Sequence, residues 1–209
     1  IVYSYCIAYL PPPRKGAAMA DRSSASLPLQ LRPSRLDREA FIARFGDLYE
    51  RSPWIAEAAW DQGLGPEADS LDGLAGRLAA VLDAADEDRQ LAVIRAHPDL
   101  AGKAALAGAL TDDSLKEQAG AGLDQCTPAE LSRFTRLNEA YQSRFAFPFV
   151  IAVKGKDRHA ILTAFEDRLD NTPDEERRTA IDQIHRIARL RLESRAAEYG
   201  KELGHEREQ

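Results

Sequence analysis

The chain has 209 residues, 30% of them charged, and a net charge of −6 at pH 7, which argues against nucleic acid or an anionic membrane as the main partner. Its length suits one domain around one core, and an Ala-rich composition with little Val or Ile favours helices over a sheet. Cys6 and Cys126 stand far apart, with no C-x-x-C or Cys/His cluster, so reduced thiols and no structural metal are expected.

The opening IVYSYCIAYLPPP is apolar but has no basic lead. It also falls short of the roughly 20 apolar residues that a spanning helix needs, so it reads neither as an export signal nor as a membrane span. Met19 is the only methionine, and ADRSSASLPLQLRPS after it has the Ser, Pro and Arg content of a disordered tail. The expected organisation is a disordered or non-native extension over 1–30 with the natural start at Met19, a helical domain over 31–200, and a polar tail over 201–209.

From Leu36 the spacing of Phe41, Phe45 and Leu48 predicts a helix capped by Asp37. Ser52-Pro53 restarts the chain for a short helix through Trp54, Ile55, Ala58 and Ala59, and DQGLGPEADS reads as a loop. Leu71, Leu74, Leu78, Val81 and Leu82 share one face of the next helix, and Leu91 and Ile94 anchor another over Asp86 to Ala96. Gly102, Gly108, Gly120 and Gly122 predict a loop-rich stretch with short helical pieces. Thr127-Pro128-Ala129-Glu130 has the form of a capping box opening a helix to about Phe145. FPFVIAVKG is strand-like but has no evident partner, and Asp157 to Leu169 and Pro173 to about Tyr199 read as two more helices. The fold class is all-α, a single compact multi-helix domain with no sheet of consequence.

The chemistry concentrates in HPDLAGKAALAGALTDDSLKEQ, residues 97–118. His97 precedes Pro98, which disfavours the α conformation and places the imidazole at a helix end. An imidazole titrating near 6.5 can take and return a proton at cellular pH. Ser114 and Glu117 are three residues apart, so they share a helix face with Gln118 beside them, and Ser114 also reads as a helix cap. Glu117 is placed to orient or charge the imidazole. An arginine of IARLRL pointing inward, Arg191 among them, would suit a carboxylate or ureido oxygen. P-loop, G-x-S-x-G, G-x-G-x-x-G and H-E-x-x-H signatures are absent, which points to chemistry without nucleotide or metal.

Taken with LYERSPWIAEAAW, LNEAYQSRFAFPFVIAVKG and IARLRL, this stretch resembles the 2-oxo-4-hydroxy-4-carboxy-5-ureidoimidazoline (OHCU) decarboxylases over about residues 34–195. That family carries out the last step from urate to (S)-allantoin. The resemblance implies an all-helical, cofactor-free enzyme that is usually a homodimer. It implies His97 as the catalytic histidine and Glu117 as its partner carboxylate. Pro98, Ser114, Gln118 and the run Phe149, Val150, Ile151, Ala152 and Val153 would contact substrate, as would Arg191 from the last long helix. With neither an export signal nor a peroxisomal S-K-L ending, a cytoplasmic enzyme is expected. The rival readings are a non-catalytic helical binding module, and an enzyme moving protons on another ureido acid without releasing CO2.

Overall fold

The computed structural model describes residues 29, 31–101 and 110–206. The expected N-terminal extension lies outside them except for Leu29, which is buried and donates its N–H to the Asp69 carbonyl. Cys6 and the stretch around Gly102 and Gly108 also lie outside, while Cys126 is a free thiol. Eight α-helices run through the described residues: α1 Arg38–Phe45, α2 Trp54–Asp61, α3 Leu71–Asp83, α4 Glu87–Arg95, α5 Asp112–Gly120, α6 Pro128–Phe145, α7 Arg158–Arg168 and α8 Pro173–Glu206. No strand occurs among these residues, in keeping with an all-α fold.

Side-chain caps set the starts of most of these helices. Asp37, Ser70, Asp86, Thr111, Thr127 and Asp157 each accept the backbone N–H three residues on, a bond typically worth about 1 kcal/mol. Thr127 and Glu130 complete the predicted capping box. Ser114 is not a cap: Thr111 takes that role, which places Ser114 in the first turn of α5 with its hydroxyl free to point inward. On α4 the buried pair is Val93 and Ile94, with Leu91 only partly buried, because the face turned to the core is one position out of phase with the predicted one. The predicted 61–70 loop contains a tight 3-10 turn, Pro66–Asp69, packed against the start of α3. Gly73 permits that approach, since a Cβ there would stand 1.8 Å from the Glu67 carbonyl oxygen. The backbone of α8 runs on past Tyr199 into the residues expected as tail.

Helix α8 is the axis of the assembly, with α3, α4 and α6 packed on it. The strand-like run after α6 is buried but unpaired as a strand. Ala146 adopts the left-handed region at φ 60° and turns the chain out of α6, its carbonyl held by Arg95 Nε at 3.1 Å. From there residues 147–153 run without regular secondary structure through the core. Buried backbone polar groups need partners, and here side chains supply them: Arg168 donates to the Val150 carbonyl at 2.7 Å, and the Ala152 N–H donates to Gln183 Oε1 at 3.1 Å. Phe149 stacks on Phe165 at 3.9 Å with the Arg168 guanidinium 4.4 Å over its ring. These contacts make the run a fixed wall.

Candidate active site

His97 follows the C-terminus of α4, where the last carbonyls of a helix lack intrahelical partners. Its Nδ1 lies 2.9 Å from the Val93 carbonyl oxygen. A carbonyl can only accept, so Nδ1 carries the hydrogen and the neutral ring keeps its lone pair on Nε2. The residue is 8% exposed. Burial pushes its pKa down to about 4; the Arg191 charge acts in the same direction, and the Val93 carbonyl and the Glu50 carboxylate act against it. The imidazole is therefore neutral at cellular pH.

Helix α5 presents Ser114, Glu117 and Gln118 to the same recess, which is also walled by Pro98, Phe149, Val150, Ile151 and Val153. Leu100 and Ile187 complete it, and an adjoining groove shares Glu117, Val153 and Ile187 with it. Gln118 Oε1 accepts the Ala101 N–H at 3.1 Å, and Ala101 stands at φ 49°, a conformation unusual for a residue with a Cβ. That bond fixes the carboxamide, so its NH2 is what Gln118 can offer a bound molecule.

Two predicted site residues take other places. Ala152 lines the neighbouring groove rather than this recess, because its N–H is turned to Gln183. Arg191 does reach inward from α8, but it stands behind the recess. Its guanidinium meets Glu117 bidentately, through Nε at 2.7 Å and one terminal nitrogen at 2.9 Å, and the latter also reaches Ser114 Oγ at 3.3 Å. The other terminal nitrogen meets Glu50 Oε2 at 3.1 Å and the Leu48 carbonyl at 3.5 Å. A guanidinium has five N–H donors, and these contacts occupy them all. Glu117 is correspondingly paired with Arg191; the carboxylate that acts electrostatically on His97 is Glu50.

Glu50 was not among the predicted site residues. It is 3% exposed and accepts from Thr111 Oγ1 at 2.8 Å and Ser114 Oγ at 3.0 Å. Burial works against its charge, but the Thr111 hydroxyl, the Arg191 guanidinium, the Ser114 hydroxyl and His97 together hold the carboxyl below its usual range. The one signal for it in the sequence was its place in LYERSPW, among the segments that carry the family resemblance. His185 also has a setting that its sequence did not show: Nδ1 lies 3.0 Å from the Tyr49 hydroxyl and Nε2 3.0 Å from Asp83, a bridge from α3 to α8 well apart from the recess.

A neutral imidazole acceptor, an amide donor, a carboxylate and apolar walls around one small recess suit proton transfer on a compact polar ring compound. Among the described residues no group of His, Cys, Asp and Glu is arranged to hold a metal ion, and no helix is long and apolar enough to cross a membrane.

Comparison with known proteins agrees with this picture. The family model described as OHCU decarboxylase matches residues 34–193. A 2-oxo-4-hydroxy-4-carboxy-5-ureidoimidazoline decarboxylase of Haloferax volcanii is 42% identical over 162 residues, covering 78% of this chain and 92% of that protein. Its counterpart in Halalkalicoccus jeotgali is 40% identical over 160 residues, covering 77% and 87%. Among solved structures, the crystal structure of (S)-allantoin synthase superposes with a TM-score of 0.61 at 31% identity. The match covers 78% of this chain and 52% of that one, so this chain spans about half the length of that protein.

Proposed function

The chain belongs to the OHCU decarboxylase family, and on that premise we propose that it converts OHCU to (S)-allantoin and CO2 in urate degradation. The observation that carries the reading is the neutral, buried His97, with Nδ1–H tied to Val93, beside Gln118 and Glu117 in one small recess.

The substrate bears its carboxylate and a hydroxyl on one ring carbon, next to a ring carbon in a C=N bond. Breaking the bond to the carboxylate releases CO2 and sends the electron pair into the C=N bond, whose nitrogen takes a proton. The enol that remains gives its hydroxyl proton to Nε2 of His97 and gains a proton on the neighbouring carbon. Overall one CO2 leaves and one proton is taken up. Because the substrate supplies its own electron sink, this sequence needs no separate one, and activity is expected to survive dialysis against a chelator.

His97 is the group suited to both proton steps. Its neutral ring accepts at Nε2, and the imidazolium so formed can return the proton to one face of the product carbon. Both oxygens of Glu117 already accept from Arg191, so in this reading Glu117 is an acceptor for ring N–H or ureido groups rather than the proton donor. The Gln118 NH2 holds a substrate oxygen, Ser114 and Pro98 border it, and Phe149, Val150, Ile151 and Val153 enclose the ring. Apolar walls disfavour concentrated charge, and decarboxylation disperses the charge of the carboxylate.

Circular dichroism of freshly generated substrate, with CO2 trapped in parallel, tests the reading. CO2 release faster than the blank with a growing (S)-allantoin signal is the expected result. Slow racemic decay equal to the blank would refute it. The family resemblance also supports a cytoplasmic homodimer, for which light scattering should give twice the 23.1 kDa chain mass.

A further inference from the structure

Glu50 lies in the loop between α1 and α2, outside the recess, yet it holds Ser114, which lines the recess, and Arg191, which grips Glu117 of its wall. One oxygen accepts from Thr111 Oγ1 at 2.8 Å. The other takes the Ser114 hydroxyl at 3.0 Å and an Arg191 nitrogen at 3.1 Å. A buried carboxylate in a loop is costly unless it is paired. The obvious partner, Arg191, is already matched by the two oxygens of Glu117. The cluster thus holds two carboxylates against one guanidinium, an excess of one negative charge. On its outer side, Asp47, Asp112 and Asp113 are balanced by Arg51, Lys116 and Arg195, so the excess is not cancelled from outside.

Glu50 grips Ser114, which lines the recess together with His97, so the excess charge is anchored to the wall beside an imidazole that must become a cation and revert within each turnover. We propose that Glu50 is a positioning residue of the decarboxylation, fixing Ser114 and the Arg191–Glu117 pair from behind and supplying the counter-charge for the imidazolium of His97. This rests on the function proposed above. Glu50 favours the His97 cation and Arg191 opposes it, while the Glu117 carboxylate that shares the recess is matched by Arg191. Removing Glu50's charge therefore takes away an attraction that opposes the Arg191 repulsion, and the imidazolium becomes harder to form.

Glu50→Gln, which keeps the side-chain shape, tests this in two readouts. The kcat is expected to fall about 10- to 100-fold with KM changed less than about threefold, and the His97 titration, followed by NMR in the absence of substrate, to move about one unit to lower pH. Glu50→Asp, which keeps the charge but loses reach, should leave that titration near its wild-type position while kcat still falls. A fall in kcat with the His97 titration unmoved in Glu50→Gln would make Glu50 a structural residue only and overturn the proposal, as would unchanged kcat. If Glu50→Gln does not fold, carboxyl NMR of the wild-type protein decides. Glu50 ionised throughout the range in which His97 titrates supports the counter-charge, and Glu50 protonating at a higher pH than His97 overturns it. The NMR readouts need no turnover, so their failure is distinct from a wild-type protein that releases no CO2, which would refute the decarboxylase reading itself.

Discussion

Helix α8 carries two buried arginine–glutamate clusters built from the same residue types, and they differ in where they open. Near its start, Glu176 is wholly buried and accepts from Tyr141, Arg168 and Asn171. The other terminal nitrogen of Arg168 donates to the Val150 carbonyl. The Glu176 carboxylate faces only protein, and the cluster braces the 147–153 wall. Fifteen residues on, Arg191 gathers Glu50, Ser114 and Glu117, but here the Glu117 side chain is 30% exposed and faces the recess. The closed cluster braces the wall, and the open one offers a carboxylate to the recess. Access, rather than composition, separates the two roles.

The sharpest test of that division is His97→Ala, which should lower kcat about 10²–10⁴-fold while the helical circular dichroism stays intact. Near-wild-type turnover would remove His97 from the chemistry. Glu176→Ala should do the opposite, costing about 3–5 kcal/mol in denaturant unfolding because it strands a buried arginine. A variant of full stability with lost turnover would break the comparison.

Acid separates the regions next. The neutral imidazole is the working form, so kcat/KM should hold level as pH falls through 6.5 and decline only as it approaches about 4. Stability follows the same group. Between pH 6.5 and about 4 the unfolded chain binds a proton at His97 that the folded chain refuses. Stability contributed by this group is thus present above pH 6.5 and falls by about 3 kcal/mol across the window. Melting temperatures of His97→Gln should fall less over that range than those of the wild type. The smallest effect is expected for Arg191→Lys, which keeps the charge but loses the fork. Losing about one charged hydrogen bond, worth roughly 1.5 kcal/mol, should lower kcat about tenfold. Because Arg191 stands behind the recess, KM should change little; a rise in KM with kcat unchanged would restore it as a direct substrate contact.

Much of this architecture was legible because it is local. Asp37, Asp86, Thr127 and Asp157 lie at helix starts that short-range spacing picks out, and the apolar period of α3 names its buried residues in advance. His97 stood out for the same reason, since Pro98 marks the boundary that places it. Glu50 did not, because its partners lie 61, 64 and more positions away. The Phe149–Val153 run was ambiguous because the side chains that replace a partner strand, Arg168 and Gln183, come from two other helices. Thr111 takes the cap position that the spacing offered to Ser114, since both are good caps and only the inward face of α5 decides between them.

The length of α8 has an evolutionary consequence. Glu176 and Arg191 are joined by uninterrupted helix, so their separation is a ruler of about 22 Å, and at 100° per residue they lie within about 60° of the same side. One residue inserted between them would swing Arg191 away from Glu117 while leaving the Glu176 brace in place. Loops of this chain can drift in length over generations, but that stretch of helix can change its letters and not their number.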